Sequence, residues 1–317
     1  MVNWEERRLI VKVANLYYFE GWTQAQIAKK IGVSRPVISK LLNKAREQGI
    51  VEIYIKDENA HTVELEQKLE KKYGLKEVIV TPTAGLTSEM VKRSIGKAAS
   101  SYVSKHIEGI QSLGISWGST LSNFVQEYPY EQNRGLKIVP LVGGMGRELV
   151  EIHSNLLAYQ LAQKMNSSCS YLYAPAMVDS NELKERLIQS EDIASVLEEG
   201  RNVQMTVVGI GNPFKNSTMT TLNYLKEEAL VSLKKAGAVG DISSRFYDAL
   251  GNQIDHELNE LVIGLDLEDL KNIPEVVGVV EGCHKVDSIE AALKGEYLDV
   301  LVIDDSTAHA LLTGTIN

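Results

Sequence analysis

The octapeptide "GISWGSTL", residues 114–121, sets three hydroxyl side chains, Ser116, Ser119 and Thr120, around two glycines where an apolar run gives way to a helical pattern. Gly114 and Gly118 permit a tight backbone path, and the first N–H groups of a new helix point outward. Together these groups can cradle a phosphate. No G-K-[ST] follows, so the stretch is not a Walker A loop; an ordinary strand-to-helix turn would read the same way. Two other glycine turns fail as dinucleotide fingerprints. "GIGNPF" matches at Gly209 and Gly211 but has Phe214 in the third position, and "GGMGREL" matches at Gly144 and Gly146 but has Leu149. No nicotinamide cofactor is expected. Arg147, His153 and Asn155 follow an apolar run, Asp241 and Arg245 lie in "GAVGDISSRFYDALG", and Lys285 stands just past a strand-like segment. Each alone fits a structural role. Gathered at one end of a sheet, they suit a sugar-sized polar ligand with an anionic group. The six histidines show no H-x-x-x-H spacing, so neither a metal nor a cofactor is expected.

A second chemistry sits near the start of the chain. "TQAQIAKKI", residues 23–31, reads as a short helix with Thr23 as cap and Gln26 completing a capping box. Gly32 allows a turn. Ser34 is placed to cap a second helix with Pro36 in its first turn. Val37, Ile38, Leu41, Leu42 and Ala45 form the apolar stripe of that helix. Arg35, Pro36, Ser39, Lys40, Asn43 and Lys44 face away from it. A helix fits the major groove of B-DNA with its N-terminal residues at base edges, so these residues, with Thr23, Gln24 and Ser34, are the candidate DNA contacts. A plain helical hairpin with a polar outer face is the competing reading. Charge favours DNA: residues 1–56 carry ten Lys/Arg and five Asp/Glu, a net of +5, whereas the rest of the chain carries −14 toward the overall −9. A basic segment on an acidic body can approach a polyanion that the body repels.

The elements that must position these groups follow from hydropathy. A helix over 9–21 would complete a three-helix unit, and "IVEIYI" at 50–55 alternates like a short wing strand. Residues 58–74 are charged, with Val63, Leu65, Leu69 and Tyr73 apolar; a helix here could pair with a second copy or lie on its own domain. From residue 76, short β-branched runs at 77–82, 112–118, 136–144, 203–211, 275–282 and 298–305 alternate with helical stretches at 88–106, 152–165 and 285–294. That pattern implies an α/β fold, a mostly parallel sheet covered on both faces, with ligands beyond the C-terminal strand ends. The expected division is 1–56 for DNA binding, 57–75 for a linker helix and 76–317 for an effector domain. Two cysteines in 317 residues argue against a disulfide framework. With a charged N-terminus and no long apolar run, the expected location is the cytoplasm, away from membranes.

With these motifs in view, the chain resembles the SorC family of sugar-responsive bacterial transcription regulators. The carriers are "LYYFEGWTQAQIAKKIGVSRPVISKLLNKAREQGIVEI", "GISWGSTL", "VPLVGGMG", "HSN", "VVGIG", "GAVGDISSRFYDALG" and "LVIDDSTAHALL". The resemblance implies a helix–turn–helix (winged-helix-like) domain followed by a Rossmann-like effector domain similar to sugar-phosphate isomerases of the NagB/RpiA type. It implies double-stranded operator DNA and a phosphorylated sugar as partners, in a homo-oligomer, a tetramer built as a dimer of dimers. It assigns the phosphate to Ser116, Ser119, Thr120 and Lys285, and sugar hydroxyls to Asp241; Gly118, Gly143, Gly144, Arg147, His153, Asn155 and Arg245 are the other candidate effector contacts. Some members carry a cation just before the double glycine. Here Val142 stands there, which speaks against a second phosphate or Schiff-base chemistry at that point.

The rival is a sugar-phosphate isomerase fused to a DNA-binding module. Isomerisation needs a general base against the substrate. Asp241 is a conceivable base but has no evident acid/base partner, so no catalytic residue is expected and the chain is read as a regulator of a carbohydrate-utilisation operon.

Overall fold

The computed structural model describes residues 4–51 and 60–314. They form two compact units, 1–60 and 61–317. Residues 52–55 of the expected wing strand lie outside the described residues.

The first unit is three helices, α1 (Trp4–Tyr18), α2 (Gln24–Ile31) and α3 (Arg35–Glu47). The capping box at Thr23 forms: Thr23 Oγ1 accepts the Gln26 N–H at 3.3 Å and Gln26 Oε1 accepts the Thr23 N–H at 2.8 Å. Gly32 ends α2 in the left-handed conformation, φ 81°. The core joins Ile10, Val13 and Leu16 of α1 to Ile27 and Ala28 of α2 and Ile38, Leu41, Leu42 and Ala45 of α3. Two details differ from the sequence reading. Val37 is 40% exposed, because the covered stripe begins at Ile38. Ser34 occupies the N-cap position without a side-chain cap hydrogen bond.

The second unit opens with α4 (Ala60–Tyr73), which is no free linker. Leu65 and Leu69 enter the main core, and Glu70 and Glu66 accept the N–H groups of Val78 and Val80 at 3.0 and 2.9 Å. The seam available for a second copy is therefore largely used on its own domain, and the unit boundary falls at residue 60 rather than 56 or 75.

The sheet holds seven parallel strands in the order β1-β9-β8-β5-β2-β3-β4: β1 (Glu77–Thr81), β2 (Ser112–Ile115), β3 (Lys137–Pro140), β4 (Ser168–Cys169), β5 (Met205–Gly209), β8 (Val276–Val279) and β9 (Val300–Asp304). A hairpin of β6 (Gly240–Ile242) and β7 (Arg245–Tyr247) stands apart. The strands are almost wholly buried Val, Ile and Leu, as a sheet covered on both faces requires. On one face, α5 (Ser88–His106), α6 (Ser119–Glu127) and α7 (Ser154–Met165) cover Leu113, Ile115, Val207, Val279 and Val302. On the other, α4 and the helices Glu191–Arg201 and Val286–Lys294 cover Leu141, Val208, Leu301 and Ile303. The six apolar runs all become strands, but most end two to four residues early, where the chain leaves the ladder to build loops. From β2 the chain moves outward through β3 and β4. It then returns to place β5 on the opposite side of β2 and continues to β8 and β9. The topological switch point of the sheet is thus the β2/β5 crevice, where open α/β sheets bind ligands.

Candidate functional site

A cleft of about 550 Å³ opens at that switch point. One wall is the loop after β2 and the start of α6, with Trp117, Gly118, Ser119, Thr120 and Leu121. The other is the segment after β5, from Gly209 through Asn212 to Met219. Asp241, Ser243 and Lys285 complete the lining. Gly118 is the N-cap of α6 with φ 134°, a conformation that L side chains rarely adopt. Its N–H donates to the Ile152 carbonyl at 3.0 Å. The helix start is thereby aimed at the cleft with its dipole positive toward an anion.

Asp241 is held by a backbone pair with Gly211, Gly211 N–H to Asp241 O at 2.8 Å and Asp241 N–H to Gly211 O at 3.2 Å. The carboxylate lies against the Cα of Gly211, and a Cβ there would overlap Oδ1. That close approach is the reason for glycine at 211. Burial pushes the Asp241 carboxyl up to about 6, with Lys285 and the Ser244 N–H opposing the rise. Burial pushes the Lys285 amine down, against the pull of Glu281, Asp241 and Asp304. The two groups share one lining, the carboxyl able to accept from hydroxyls and the amine able to donate to an anion.

The hairpin that carries Asp241 is tight. Ser243 and Ser244, its two turn residues, have φ of 52° and 68°, the pattern of a type I′ turn that usually takes Asn-Gly. Their hydroxyls hold it to the phosphate-loop wall. Ser243 Oγ lies 2.8 Å from Ser116 Oγ, and Trp117 Nε1 donates to Ser244 Oγ at 3.1 Å.

Of the effector residues expected from sequence, the structure brings Gly118, Ser119, Thr120, Asp241 and Lys285 together in one lining. Ser116 is fully buried behind it, its hydroxyl on Ser243. The others fall outside. Arg245 is buried with its guanidinium donating to the carbonyls of Asn259, Val262, Gly264 and Leu265, and it is paired with Asp266 at 2.8 Å, so it fastens the 259–266 segment. Asn155 closes a two-bond ring with the Leu172 backbone. His153 is buried, with Nε2 3.0 Å from the Glu148 carbonyl oxygen. Gly143 packs on the Ala174–Pro175 backbone, where a Cβ would come within 2.5 Å, and Gly144 bridges to Pro175. Arg147 is exposed. All but Arg147 are held in backbone contacts that shape the domain around the cleft. The sequence reading missed Asn212, Asn216, Ser217, Thr218 and Ser243. The signal for the first four is the run of Asn, Ser and Thr in "GNPFKNST" straight after β5, whose glycines invite only a dinucleotide comparison; Ser243 lies in "GDISSRF" beside Asp241. Among the described residues no group of three or more His, Cys, Asp or Glu could hold a metal ion.

In the first unit, Arg35, Pro36, Lys40, Asn43 and Lys44 are exposed on α3, and Ser39 is half-buried. Lys44 pairs with Glu6 of α1 at 2.6 Å, which raises its amine, and Arg46 donates to Asn43 at 2.7 Å. Thr23 is engaged in its capping box, and Gln24 is half-buried. Val37 adds an apolar group to the exposed front of α3.

The Sugar-bind family, described as "Putative sugar-binding domain", matches residues 57–313, and the family "Sigma-70, region 4" matches residues 5–48. The sorbitol operon regulator of Klebsiella pneumoniae is 33% identical over 98% of this chain and 100% of its own. The crystal structure of full-length SorC from that organism superposes with a TM-score of 0.78 over 98% of this chain and 100% of the other, at 32% identity. The chain belongs to the SorC family. It is a transcriptional regulator with an N-terminal helix–turn–helix region and a sugar-binding domain. A DeoR family transcriptional regulator from Listeria monocytogenes matches at 42% identity and a TM-score of 0.75, over 79% of this chain and 99% of its own. The deoxyribonucleoside regulator of Bacillus subtilis is 33% identical over 97% of this chain and 98% of its own. Among the described residues no helix is long and apolar enough to cross a membrane.

Proposed function

We propose that this SorC-family regulator binds operator DNA through α3 and controls a carbohydrate-utilisation operon in response to a phosphorylated sugar or sugar alcohol held in the β2/β5 cleft. The observation that carries the reading is the meeting of the α6 N-terminus, Lys285 and Asp241 in one cleft at the sheet's switch point. The phosphate would sit on Ser119, Thr120 and Lys285, with sugar hydroxyls at Asp241. Ser34, Arg35, Pro36, Ser39, Lys40, Asn43 and Lys44 would meet DNA, with Val37 suited to a thymine methyl. Contact by Lys44 would compete with its pairing to Glu6. No cofactor or metal takes part. The protein acts in the cytoplasm as a homotetramer, so its operator would carry pseudo-palindromic half-sites. The names of the relatives, regulators of sorbitol and deoxyribonucleoside operons, support this class of effector.

Catalysis is not part of the proposal. Among the described residues Asp241 and Lys285 are the only ionisable groups in the cleft lining, and isomerisation would need a base poised against a bound carbon acid with a second group to shuttle the proton. The test is fluorescence anisotropy of the full chain on DNA selected from a random library, with sugars and their phosphates added in turn. A phosphosugar that changes DNA affinity by tenfold or more, where its parent sugar does not, is the expected result. DNA binding indifferent to every phosphosugar contradicts the proposal.

A further inference from the structure

The turn that carries Lys285, Gly282 to Lys285, is fastened from two directions by buried side chains. From β9, Asp304 is 3% exposed. Its Oδ1 accepts the Thr307 N–H at 2.8 Å, an ordinary helix cap. Its Oδ2 does more, accepting the Thr307 hydroxyl at 2.7 Å and reaching across to the Gly282 N–H at 3.0 Å. A helix cap needs only the first oxygen. From the loop after β5, Asn212 is 7% exposed; its Nδ2 donates to the His284 carbonyl at 3.0 Å. Its Oδ1 accepts the Phe214 and Lys215 N–H groups at 2.9 and 3.1 Å, so the same side chain shapes the opposite wall of the cleft.

A buried carboxylate is retained where it is hydrogen-bonded and faces positive charge. Asp304 meets both conditions, and the charge it faces is Lys285. The other charged groups around that amine are Asp241 from the hairpin, Glu281 from the segment after β8 and Lys92 from α5, with His284 alongside. Glu281 also accepts from Ser88 of α5 at 3.3 Å.

We infer that Asp304 and Asn212 are positioning residues for the anion site. Asp304 fixes the Gly282 end of the turn and sets a carboxylate near Lys285, and Asn212 fixes the other end and aligns the turn with the 212–218 wall. The inference rests on the assignment of the cleft to a phosphorylated ligand, but its first test does not.

That test is an NMR titration of the ligand-free full chain labelled with ¹³C at lysine Cε, with the Lys285 signal assigned through Lys285→Arg. Asp304 joins Glu281 and Asp241 in raising the Lys285 amine, so Asp304→Asn should lower the Lys285 midpoint. The second test is affinity for inorganic phosphate, expected to fall tenfold or more in both Asp304→Asn and Asn212→Ala. An unchanged Lys285 midpoint in Asp304→Asn overturns the inference, as does wild-type phosphate affinity in Asn212→Ala, which also decides the matter if Asp304→Asn does not fold. Failure of the wild-type chain to bind phosphate or any sugar phosphate would count against the ligand assignment instead, and the titration would still judge Asp304.

Discussion

Replacing Asp241 by Asn should stabilise the second unit at neutral pH while removing its sugar contact. The wild-type carboxyl is raised from 3.8 to about 6 by burial. The native state therefore keeps a proton, between those two values, that the unfolded chain has already released. The sign follows from linkage: stability is highest below the unfolded value, falls as pH rises through the window, and levels off above the folded value. A shift of about two units at ~1.4 kcal/mol each makes the ionised side chain cost about 3 kcal/mol at pH 7. Asn keeps the shape and an acceptor for the Ser244 N–H without that cost. Near pH 4 the two chains should be about equally stable. By pH 7 the variant should lead by up to about 3 kcal/mol, or roughly 5 °C in melting temperature for a unit of 257 residues. Trp117 is the sole tryptophan of the second unit, the others being Trp4 and Trp22. Its fluorescence, in a background with Trp4 and Trp22 changed to Phe, reports this unit alone. The difference between variant and wild type cancels the titrations that Asp241 does not touch, leaving its own and that of Lys285, whose amine it raises. A difference that stays flat from pH 4 to 7, or a variant less stable at pH 7, would refute the reasoning. A functional residue held at a cost in stability is common at binding sites.

Three other outcomes are expected. Lys285→Gln should weaken phosphosugar binding by about 1.5–3 kcal/mol, roughly 10- to 150-fold, because it removes one charge-assisted contact; calorimetric titration checks it, and affinity within twofold of wild type would exclude Lys285 from the contacts. Gly211→Ala should destabilise the second unit by about 1–3 kcal/mol and abolish effector binding, since the new methyl displaces the Asp241 carboxylate; thermal melts with and without ligand read both effects. Lys40→Ala should lower the slope of log affinity for DNA against log salt by about 0.9, the value for one phosphate contact; an unchanged slope would remove Lys40 from those contacts.

The sheet was legible because its strands are buried on both faces and read as unbroken β-branched runs, "EVIVT" and "VLVID" above all. The strand β4, only two residues long, and the hairpin β6–β7 carry no such run and were not anticipated. That Gly118, Ser119 and Thr120 open a helix at a strand end was legible from glycine and hydroxyl spacing, and Lys285 from its place just past a strand-like run; the structure sets them in one cleft lining. Arg245 was not, because a sequence shows a cation but not the four carbonyls that encircle it. Gly211 and Asn212 were hidden for a related reason: one matters for the atom pressed against it, the other for the two segments it ties together. In the first unit the capping box was readable because its partners are three residues apart. The Glu6–Lys44 pair spans 38 residues and was not. The narrow seam of α4 was ambiguous, since a stripe of Leu65 and Leu69 fits a partner helix or a domain core equally well; their burial in the main core, with the Glu66 and Glu70 bonds to β1 and that of Lys72 to Leu311, decides.

The central claim is that the β2/β5 cleft holds a phosphorylated sugar. The most direct measurement is the melting temperature of the full chain against sugars and sugar alcohols, each with and without its phosphate. A ligand at about 100 times its dissociation constant adds roughly 2.7 kcal/mol to the state that binds it. A clear upward shift is expected with at least one phosphorylated member, none with its parent sugar, and about half that shift or less in Lys285→Gln, where a tenfold or greater loss of affinity leaves about 1.4 kcal/mol at most. A parent sugar that stabilises as well as its phosphate, or a phosphosugar shift that survives Lys285→Gln intact, would contradict it.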